Sequence, residues 1–309
     1  MTRVAALDCG TNSLRLLIAD VHGAALTDVV RRMEVVRLGA GVDRTGMLAP
    51  EALARTFAVL DEYAEQIRSS GVDAVRMVAT SATRDAGNRD EFVAGVQQRL
   101  GIGPEVVTGD VEAALSFVGA TRELQGDATL ATPYLVVDIG GGSTEFVLGD
   151  ASGPIAARSV DVGCVRMTER HLVDDPPAVA QVEAARGDVL AAIDTVRSVV
   201  PIDHAATLIG LAGSVTTVVA LALGLQTYDP QRIHHARVSA AEVHRITEQL
   251  LAASRAERAA MSVMHPGRVD VIGGGALVLD TIMTAGGFAD VVASEHDILD
   301  GIAFSLVDA

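Results

Sequence analysis

The stretch 134–150 contains residues of the kind that handle phosphate. It reads YLVVDIGGGSTEFVLGD: an apolar run ends near Asp138, glycines and hydroxyls follow, and a second run contains Glu145. Such apolar runs predict two strands. Glycines between them let backbone N–H groups approach an anion, because no Cβ stands in the way. A carboxylate at a strand end can hold a magnesium ion directly or through water, and Glu145 could serve the same ion.

A second copy of this pattern lies 130 residues nearer the N-terminus. The stretch 6–20, ALDCGTNSLRLLIAD, aligns without gaps with 136–150, VVDIGGGSTEFVLGD, so that Asp8 coincides with Asp138. A glycine, a serine and the apolar positions coincide as well. One glycine turn between strands is most often an ordinary hairpin. Two aligned copies instead predict two related lobes that each present a phosphate loop to one cleft.

Polar side chains also follow two later predicted strands. The predicted strand Ala74–Ala79 runs into hydroxyls and an arginine, at the strand end where ligands of open α/β sheets bind. The predicted strand Thr207–Leu211 runs into a turn of glycine and serine, for which ordinary packing of a strand against a helix is an equally good explanation. The candidates from these two segments are Ser81, Arg84, Gly213 and Ser214.

Several charged side chains have simpler explanations when each is taken alone. Glu112 lies in the first turn of a predicted helix, where a negative charge stabilises the helix dipole. Arg15 and Arg84 each suit a surface ion pair. His296 and Asp297 resemble a metal-binding pair, but no companion histidine pattern accompanies them. We therefore interpret both as solvated.

Composition restricts how phosphate can be held. The chain has 309 residues, which suggests about two domains, and it contains no lysine, so all 24 basic residues are arginine. A P-loop lysine and Schiff-base chemistry are therefore excluded. The formal net charge is −16, which disfavours a nonspecific nucleic-acid binder. An anionic substrate would need arginine, backbone N–H groups and a metal ion.

The sequence also suggests a compartment. We see no run of ~18 apolar residues that would span a membrane and no signal-peptide pattern. Two cysteines, Cys9 and Cys164, do not make a disulfide framework. We therefore expect a cytoplasmic protein without a membrane or nucleic-acid partner. A homodimer is compatible with the sequence.

The predicted elements alternate between strands and helices. The polar segment Gly126–Thr132 separates a first domain, 1–125, from a second, 126–309, whose last helix could pack back on the first. The glycines 273–275 fit close packing or a nucleotide-like turn. Other predicted elements are strands 29–37, 106–108, 155–162 and 289–293 and helices 50–69, 88–100 with Asn88 as N-cap, 111–124, 176–199, 240–253 and 301–307.

Six motifs together resemble the Ppx/GppA exopolyphosphatase family of the actin-like phosphotransferase superfamily. They are DCGTNSLRLLI (8–18), ATSATRDAGNRDEF (79–92), GDVEAALSFVGA (109–120), DIGGGSTE (138–145), DVGCVRMTER (161–170) and GLAGSVTT (210–217). They cover nearly the whole chain in the family's order. The resemblance implies an α/β protein of two actin-like, ribonuclease-H-like domains with an active-site cleft between them.

The resemblance also implies roles for individual residues. Glu112 matches the general base. Asp138 and Glu145 match carboxylates associated with Mg²⁺ (or Mn²⁺), with Asp8 in the paired loop. Phosphate contacts are expected from Gly10, Thr11, Asn12, Ser13, Arg15, Ser81, Arg84, Gly140, Gly141, Gly142, Ser143, Arg166, Gly213 and Ser214.

The chain departs from the family pattern in ways that affect the expected substrate. The common Glu-Glu-Ala-Arg is Val-Glu-Ala-Ala at 111–114, channel lysines cannot exist, and the C-terminal helical domains of longer members are missing. We therefore expect hydrolysis of short inorganic polyphosphate. Hydrolysis of guanosine pentaphosphate (pppGpp), an actin-like kinase activity, and a non-catalytic sensor of polyphosphate or alarmone stay open as alternatives.

Overall fold

The computed structural model describes residues 2–23, 25–124 and 130–307. The chain divides into two compact units, Met1–Gln125 with Asp297–Ala309, and Gly126–His296. The C-terminal segment is therefore grouped with the first unit; the sequence placed it in a second domain, 126–309, whose last helix could pack back on the first. Most of the predicted boundary segment Gly126–Thr132, residues 126–129, lies outside the described residues.

The first unit contains one five-stranded sheet. Strand order is β3-β2-β1-β4-β5, with β1 antiparallel to β2 and parallel to β4. The elements are β1 Thr2–Cys9, β2 Ser13–His22, β3 Ala25–Val35, α1 Val42–Thr45, α2 Pro50–Ser69, β4 Ala74–Ala79, α3 Ser81–Asp85, α4 Arg89–Leu100, β5 Glu105–Val106 and α5 Gly109–Thr121.

The second unit contains one six-stranded sheet. Its strand order is β10-β11-β9-β6-β7-β8. The elements are β6 Tyr134–Ile139, β7 Thr144–Asp150, β8 Gly153–Val160, α6 Cys164–His171, α7 Val179–Arg197, β9 Thr207–Leu211, α8 Ala212–Ala222, α9 Pro230–Ile233, β10 Arg237–Ser239, α10 Ala240–Ala252, α11 Arg255–Ala259, α12 Ile272–Gly286 and β11 Asp290–Ala293, and α13 Ile298–Ser305 then returns to the first unit.

The two sheets have the same topology. Strands β3-β2-β1-β4-β5 of the first unit correspond to β8-β7-β6-β9-β11 of the second. In both, the first three strands in sequence form an antiparallel meander, and the next pairs parallel to the first. The second sheet adds β10 at its edge. The α/β fold of two related lobes, predicted from the repeated motif, is confirmed.

Helix α13 covers one face of the first sheet. Side chains of β1 alternate between faces: Leu7 packs in one apolar cluster, whereas Val4 and Ala6 pack in another with Ile302 and Phe304 of α13. All five of these side chains are buried. Strands covered on both faces read as continuous apolar runs, which explains why β1 shows no polar alternation.

Several predicted boundaries differ from the structure for local reasons. Asn88 precedes α4, but its side chain bonds the backbone of Leu48, at 2.8 Å to N and 3.0 Å to O, instead of capping the helix. The strand predicted at 106–108 ends at Val106, because Thr108 is the N-cap of α5. The helix predicted at 301–307 begins at Ile298.

The glycines 273–275 lie in the first turn of α12, where their contacts support the close-packing interpretation, and the alternative of a nucleotide-like turn stays a prediction. A Cβ on Gly274 would lie 2.8 Å from Cys164 O, and one on Gly275 would overlap the side chain of Ser214. Glycine is thus needed where α12 meets α6 and α8. None of the described helices is both long and apolar enough to cross a membrane.

Candidate active site

Asp8 and Arg15 form a buried pair in the first unit. They are direct partners in the antiparallel register of β1 and β2, so their side chains share one face of the sheet. Arg15 Nε and Nη2 both donate to Asp8 Oδ2, at 2.9 and 2.8 Å. Asp8 Oδ1 is buried and has no hydrogen-bond partner in the described part of the chain. Burial raises the pKa of Asp8, and Arg15 only partly offsets it.

Asp297 is a third member of this buried charged group. Arg15 Nη1 donates to Asp297 Oδ2, while the other Asp297 oxygen accepts the N–H of Leu299 at 3.0 Å and caps α13. Burial acts to raise the pKa of Asp297, but the Arg15 charge and the Leu299 hydrogen bond outweigh it, so the pKa lies below its ordinary value. The interpretation of Asp297 as solvated is wrong, because only 5% of the residue is exposed.

Arg15 is therefore a buried ion-pair partner rather than a surface one. Burial acts to lower its pKa, yet Asp297 and Asp8 raise the net value. Its guanidinium is occupied by two carboxylates, and the phosphate contact expected of it stays a prediction. Sequence reasoning missed Asp297 because it lies 282 positions from Arg15 and no pattern links the two.

The turn Gly10–Ser13 is held by its neighbours. Gly10 N–H donates to Ser13 O at 3.0 Å, and the N–H groups of Arg37 and Gly39 donate to the carbonyls of Asn12 and Thr11, each at 2.8 Å. A Cβ on Gly39 would overlap the Thr11 side chain.

The hydroxyls of Thr11 and Ser81 lie 2.9 Å apart. These two residues come from different expected phosphate segments, and the parallel pairing of β1 with β4 brings them together.

Arg84 and Glu112 are also in contact. Arg84 Nη1 donates to Glu112 Oε2 and to Val107 O, both at 3.1 Å. Glu112 lies in the first turn of α5, whose N-cap is Thr108, and is 7% exposed. The hydrogen bond from Arg84 fixes the orientation of the Glu112 carboxylate. The geometry therefore suits a base beside a cation that could bind a phosphoryl oxygen.

Asp138 and Glu145 form the corresponding pair of the second unit. They are direct register partners in β6 and β7, and both are buried, Glu145 to within 1% exposure. Directly opposite residues have Cβ atoms about 4.5–5.5 Å apart, so both carboxylates can reach one small ion. Ser159 Oγ donates to Glu145 Oε1 at 2.7 Å. The hard oxygen atoms of two neighbouring carboxylates are ligands that a divalent cation prefers.

The turn Gly140–Ser143 repeats the geometry of the first loop, since Gly140 N–H donates to Ser143 O at 3.0 Å. Backbone N–H groups of α6 bond the carbonyls of Gly140 and Gly141, and Arg166 Nε donates to Gly142 O at 2.8 Å. In a trans peptide, the N–H of the next residue points opposite to the carbonyl. The N–H groups of residues 141–143 therefore point away from α6, as an anion-binding turn requires.

Arg166 thus stabilises the turn through its Nε, and its expected contact with phosphate stays a prediction. Its Nη2 also lies 3.9 Å from Asp161 Oδ1. Gly163 lets α6 approach so closely, because a Cβ there would lie 2.5 Å from Gly141 O.

Gly213 and Ser214 begin α8 after β9. Because Asp138 pairs with Leu211 in parallel register, this turn lies at the same sheet edge as the Asp138 loop. The guanidinium of Arg268 lies directly over Gly213, and Arg268 Nη1 donates to Thr217 Oγ1 at 3.0 Å. Sequence reasoning missed Arg268, although it stands just before the glycines of α12.

Comparison with known proteins agrees with these observations. The model of the Ppx/GppA phosphatase family matches residues 17–308. Exopolyphosphatase 2 of Mycobacterium tuberculosis is 49% identical, over 99% of this chain and 99% of that protein.

Two solved structures are similar over the whole chain. The structure of an exopolyphosphatase-like protein has 43% identity and a TM-score of 0.95, covering 99% of this chain and 98% of that chain. The PPX-GPPA enzyme of Aquifex aeolicus has 28% identity and a TM-score of 0.82, covering 98% and 99%.

Proposed function

Because the chain belongs to the Ppx/GppA phosphatase family, we propose that it is an exopolyphosphatase. It hydrolyses the terminal phosphoanhydride bond of short inorganic polyphosphate by attack of water. The observation that carries this proposal is the buried contact between Glu112 and Arg84, at the end of the sheet that also holds the Asp8 loop. Similarity to an exopolyphosphatase over the full length supports the same activity.

Glu112 acts as the general base. Its carboxylate takes the proton of the attacking water, and such a base typically contributes ~10²–10⁴-fold to the rate. The Arg84 guanidinium beside it holds the base in place and binds a phosphoryl oxygen. A helix-dipole role alone does not require burial or an arginine partner, so the contact favours catalysis over the simpler explanation.

Phosphate oxygens are held mainly by backbone N–H groups. The N–H groups of residues 141–143 are directed away from α6, and the matching turn Gly10–Ser13 has the same closing hydrogen bond. Donors that are fixed before the reaction stabilise the charge that develops in the transition state. The hydroxyls of Thr11 and Ser81, which hydrogen-bond each other, leave one further O–H donor.

We assign a magnesium or manganese ion to Asp138 and Glu145. When bound, the ion supplies positive charge that neutralises the phosphoryl oxygens. In the first unit, Asp8 is a further candidate for binding a metal ion, through its buried oxygen Oδ1, which has no hydrogen-bond partner among the described residues. Two acidic side chains that face each other in register offer the oxygen ligands that such an ion prefers.

Short chains are the preferred substrate in this proposal. The protein has no lysine and a net charge of −16, so little basic surface is available to a long polyanion. The test is phosphate release from tripolyphosphate, long polyphosphate, pppGpp and ATP, side by side, with and without magnesium.

Each outcome of that test has a clear meaning. Release from tripolyphosphate that requires magnesium supports the proposal. A clear preference for pppGpp would make the protein a guanosine pentaphosphate phosphohydrolase. Binding of these compounds without any release would make it a sensor, and transfer of phosphate from ATP to a sugar would make it a kinase.

A further inference from the structure

Two aspartates at the start of α13 connect the last helix to the sheet of the first unit. Asp297 binds Arg15 of β2, and Asp300 binds Arg31 of β3. Both aspartates are buried, at 5% and 1% exposure. They also cap the helix, since Asp297 accepts the N–H of Leu299 and Asp300 accepts the N–H of Asp297 at 2.9 Å. The two ion pairs are alike in burial and in structural role.

Only one of the two ion pairs reaches the predicted site. Arg15 uses Nε and Nη2 for Asp8 and Nη1 for Asp297, so a single planar guanidinium joins the two carboxylates. Arg31 instead joins Asp300 to Asp28, an exposed residue of β3. An arginine side chain has substantial rotamer freedom when it is free, and a second carboxylate removes that freedom. The orientation of Asp8 Oδ2 is thereby fixed, while Oδ1 has no hydrogen-bond partner in the described part of the chain.

Asp297 also sets the local charge. Asp8 and Arg15 alone would form a neutral pair, whereas the three groups together carry one negative charge. In the second unit the position of Arg15 is taken by Glu145, which faces Asp138. Asp297 thus supplies the first unit with a second carboxylate beside Arg15.

The backbone around Asp297 is held in turn by the helix that carries the base. A Cβ on Gly119 of α5 would overlap Asp297 O, and a Cβ on Gly301 of α13 would overlap Leu115 O. The two helices thus touch through glycines, and Glu112 lies in the first turn of the same α5. Asp297 and Glu112 are fixed relative to each other by direct backbone packing.

We infer that Asp297 is a positioning residue of the reaction, and this inference rests on the proposed function. Asp297 acts through Arg15. It holds the Arg15 guanidinium in place, and the guanidinium in turn fixes the carboxylate of Asp8 in the orientation that turnover requires. A misplacement of about 1 Å in a catalytic group can reduce the rate by about 10²-fold. Loss of the second anchor of Arg15 allows a displacement of that size.

The test compares Asp297→Asn with Asp300→Asn. Asparagine keeps the size and the capping oxygen in both variants, and each variant weakens one buried pair between arginine and aspartate. We expect Asp297→Asn to lower kcat for tripolyphosphate by roughly 10- to 100-fold, with KM within about twofold of the parent value. Asp300→Asn should keep the parent kcat while losing a similar amount of thermal stability. Equal kcat in the two variants would overturn the inference, because a structural role affects both alike.

A double-mutant cycle tests whether Asp297 acts through Arg15. Arg15→Gln alone should lower kcat at least as much as Asp297→Asn, and adding Asp297→Asn to Arg15→Gln should change kcat little further. Multiplication of the two effects would contradict the inference. Failure of the parent protein to release phosphate would refute the proposed function itself, and so the two failures are distinguishable.

Discussion

Asp138 lies directly opposite Glu145 across the antiparallel strands β6 and β7. The equivalent positions of the first unit hold Asp8 and Arg15, in the same register across β1 and β2. The same two strand positions therefore hold two acidic side chains in the second unit and an ion pair in the first. Two carboxylates offer oxygen ligands for a divalent cation, whereas in the first unit an arginine stands at the second position. The two loops share the same closing backbone hydrogen bond, but the charged side chains beside them differ.

Asp138→Asn should abolish phosphate release while the protein stays folded. Asparagine keeps the shape of the side chain but removes the charge that attracts a divalent ion. Thermal stability in a chelator should stay close to that of the parent protein, because asparagine has the size and shape of aspartate. The measurements are circular dichroism, Mn²⁺ binding by calorimetry, and phosphate release. Near-parent activity with a normal magnesium requirement would show that Asp138 only forms a turn.

Glu112→Gln should lower kcat by ~10²–10⁴-fold with little change in substrate affinity, because glutamine cannot accept the proton of water. Asp110→Asn is the matched control, since Asp110 is an exposed acid in the same first turn of α5. A charge lost there changes stability by only about 0.3–1 kcal/mol and should leave turnover intact. Similar kcat in the two variants would remove Glu112 from the chemistry.

Tripolyphosphate should be hydrolysed faster than chains of several hundred units at equal salt. A long polyanion needs an extended basic surface, and the net charge of −16 with arginine as the sole basic residue type besides histidine provides little. Specific activity on both substrates, measured on one preparation, checks this. A clear preference for the long chain would contradict it.

Both cysteines should resist alkylation in the folded protein. Burial raises the pKa of the Cys9 and Cys164 thiols, and both are buried. Thiolate is the reactive form, so a folded-state pKa above the unfolded one keeps the thiols protonated at pH 8, where unfolded cysteines begin to ionise. Mass spectrometry after iodoacetamide treatment should show no label until denaturant is added. Rapid labelling of Cys9 without denaturant would show that the structure opens locally at the C-terminal end of β1.

The repeated loops could be predicted because each is local in sequence. Asp8, Asp138 and their glycines lie within a few positions of each other, and two copies supported one interpretation. The strand Ala74–Ala79 and the helix Pro50–Ser69 match the structure residue for residue for the same reason.

Contacts between distant segments could not be predicted in this way. Asp297 meets Arg15 across 282 positions, and Arg84 meets Glu112 across 28. Such pairs depend on which strands lie side by side, and periodicity in one segment carries no information about that. Asn88 is a further example of this effect. Asparagine is a favourable N-cap residue, but the Asn88 side chain forms hydrogen bonds with the backbone of Leu48 instead.

The return of α13 to the first sheet has a consequence for biosynthesis. Domains generally fold in order from the N-terminus as the chain leaves the ribosome. Here the face of β1 that bears Val4 and Ala6 is covered by residues 298–304, which follow the whole second unit in the chain. All residues of the second unit, up to His296, are synthesised before that face can be covered. The sheet of the unit that is translated first therefore cannot be covered on this face until the whole second unit has been synthesised.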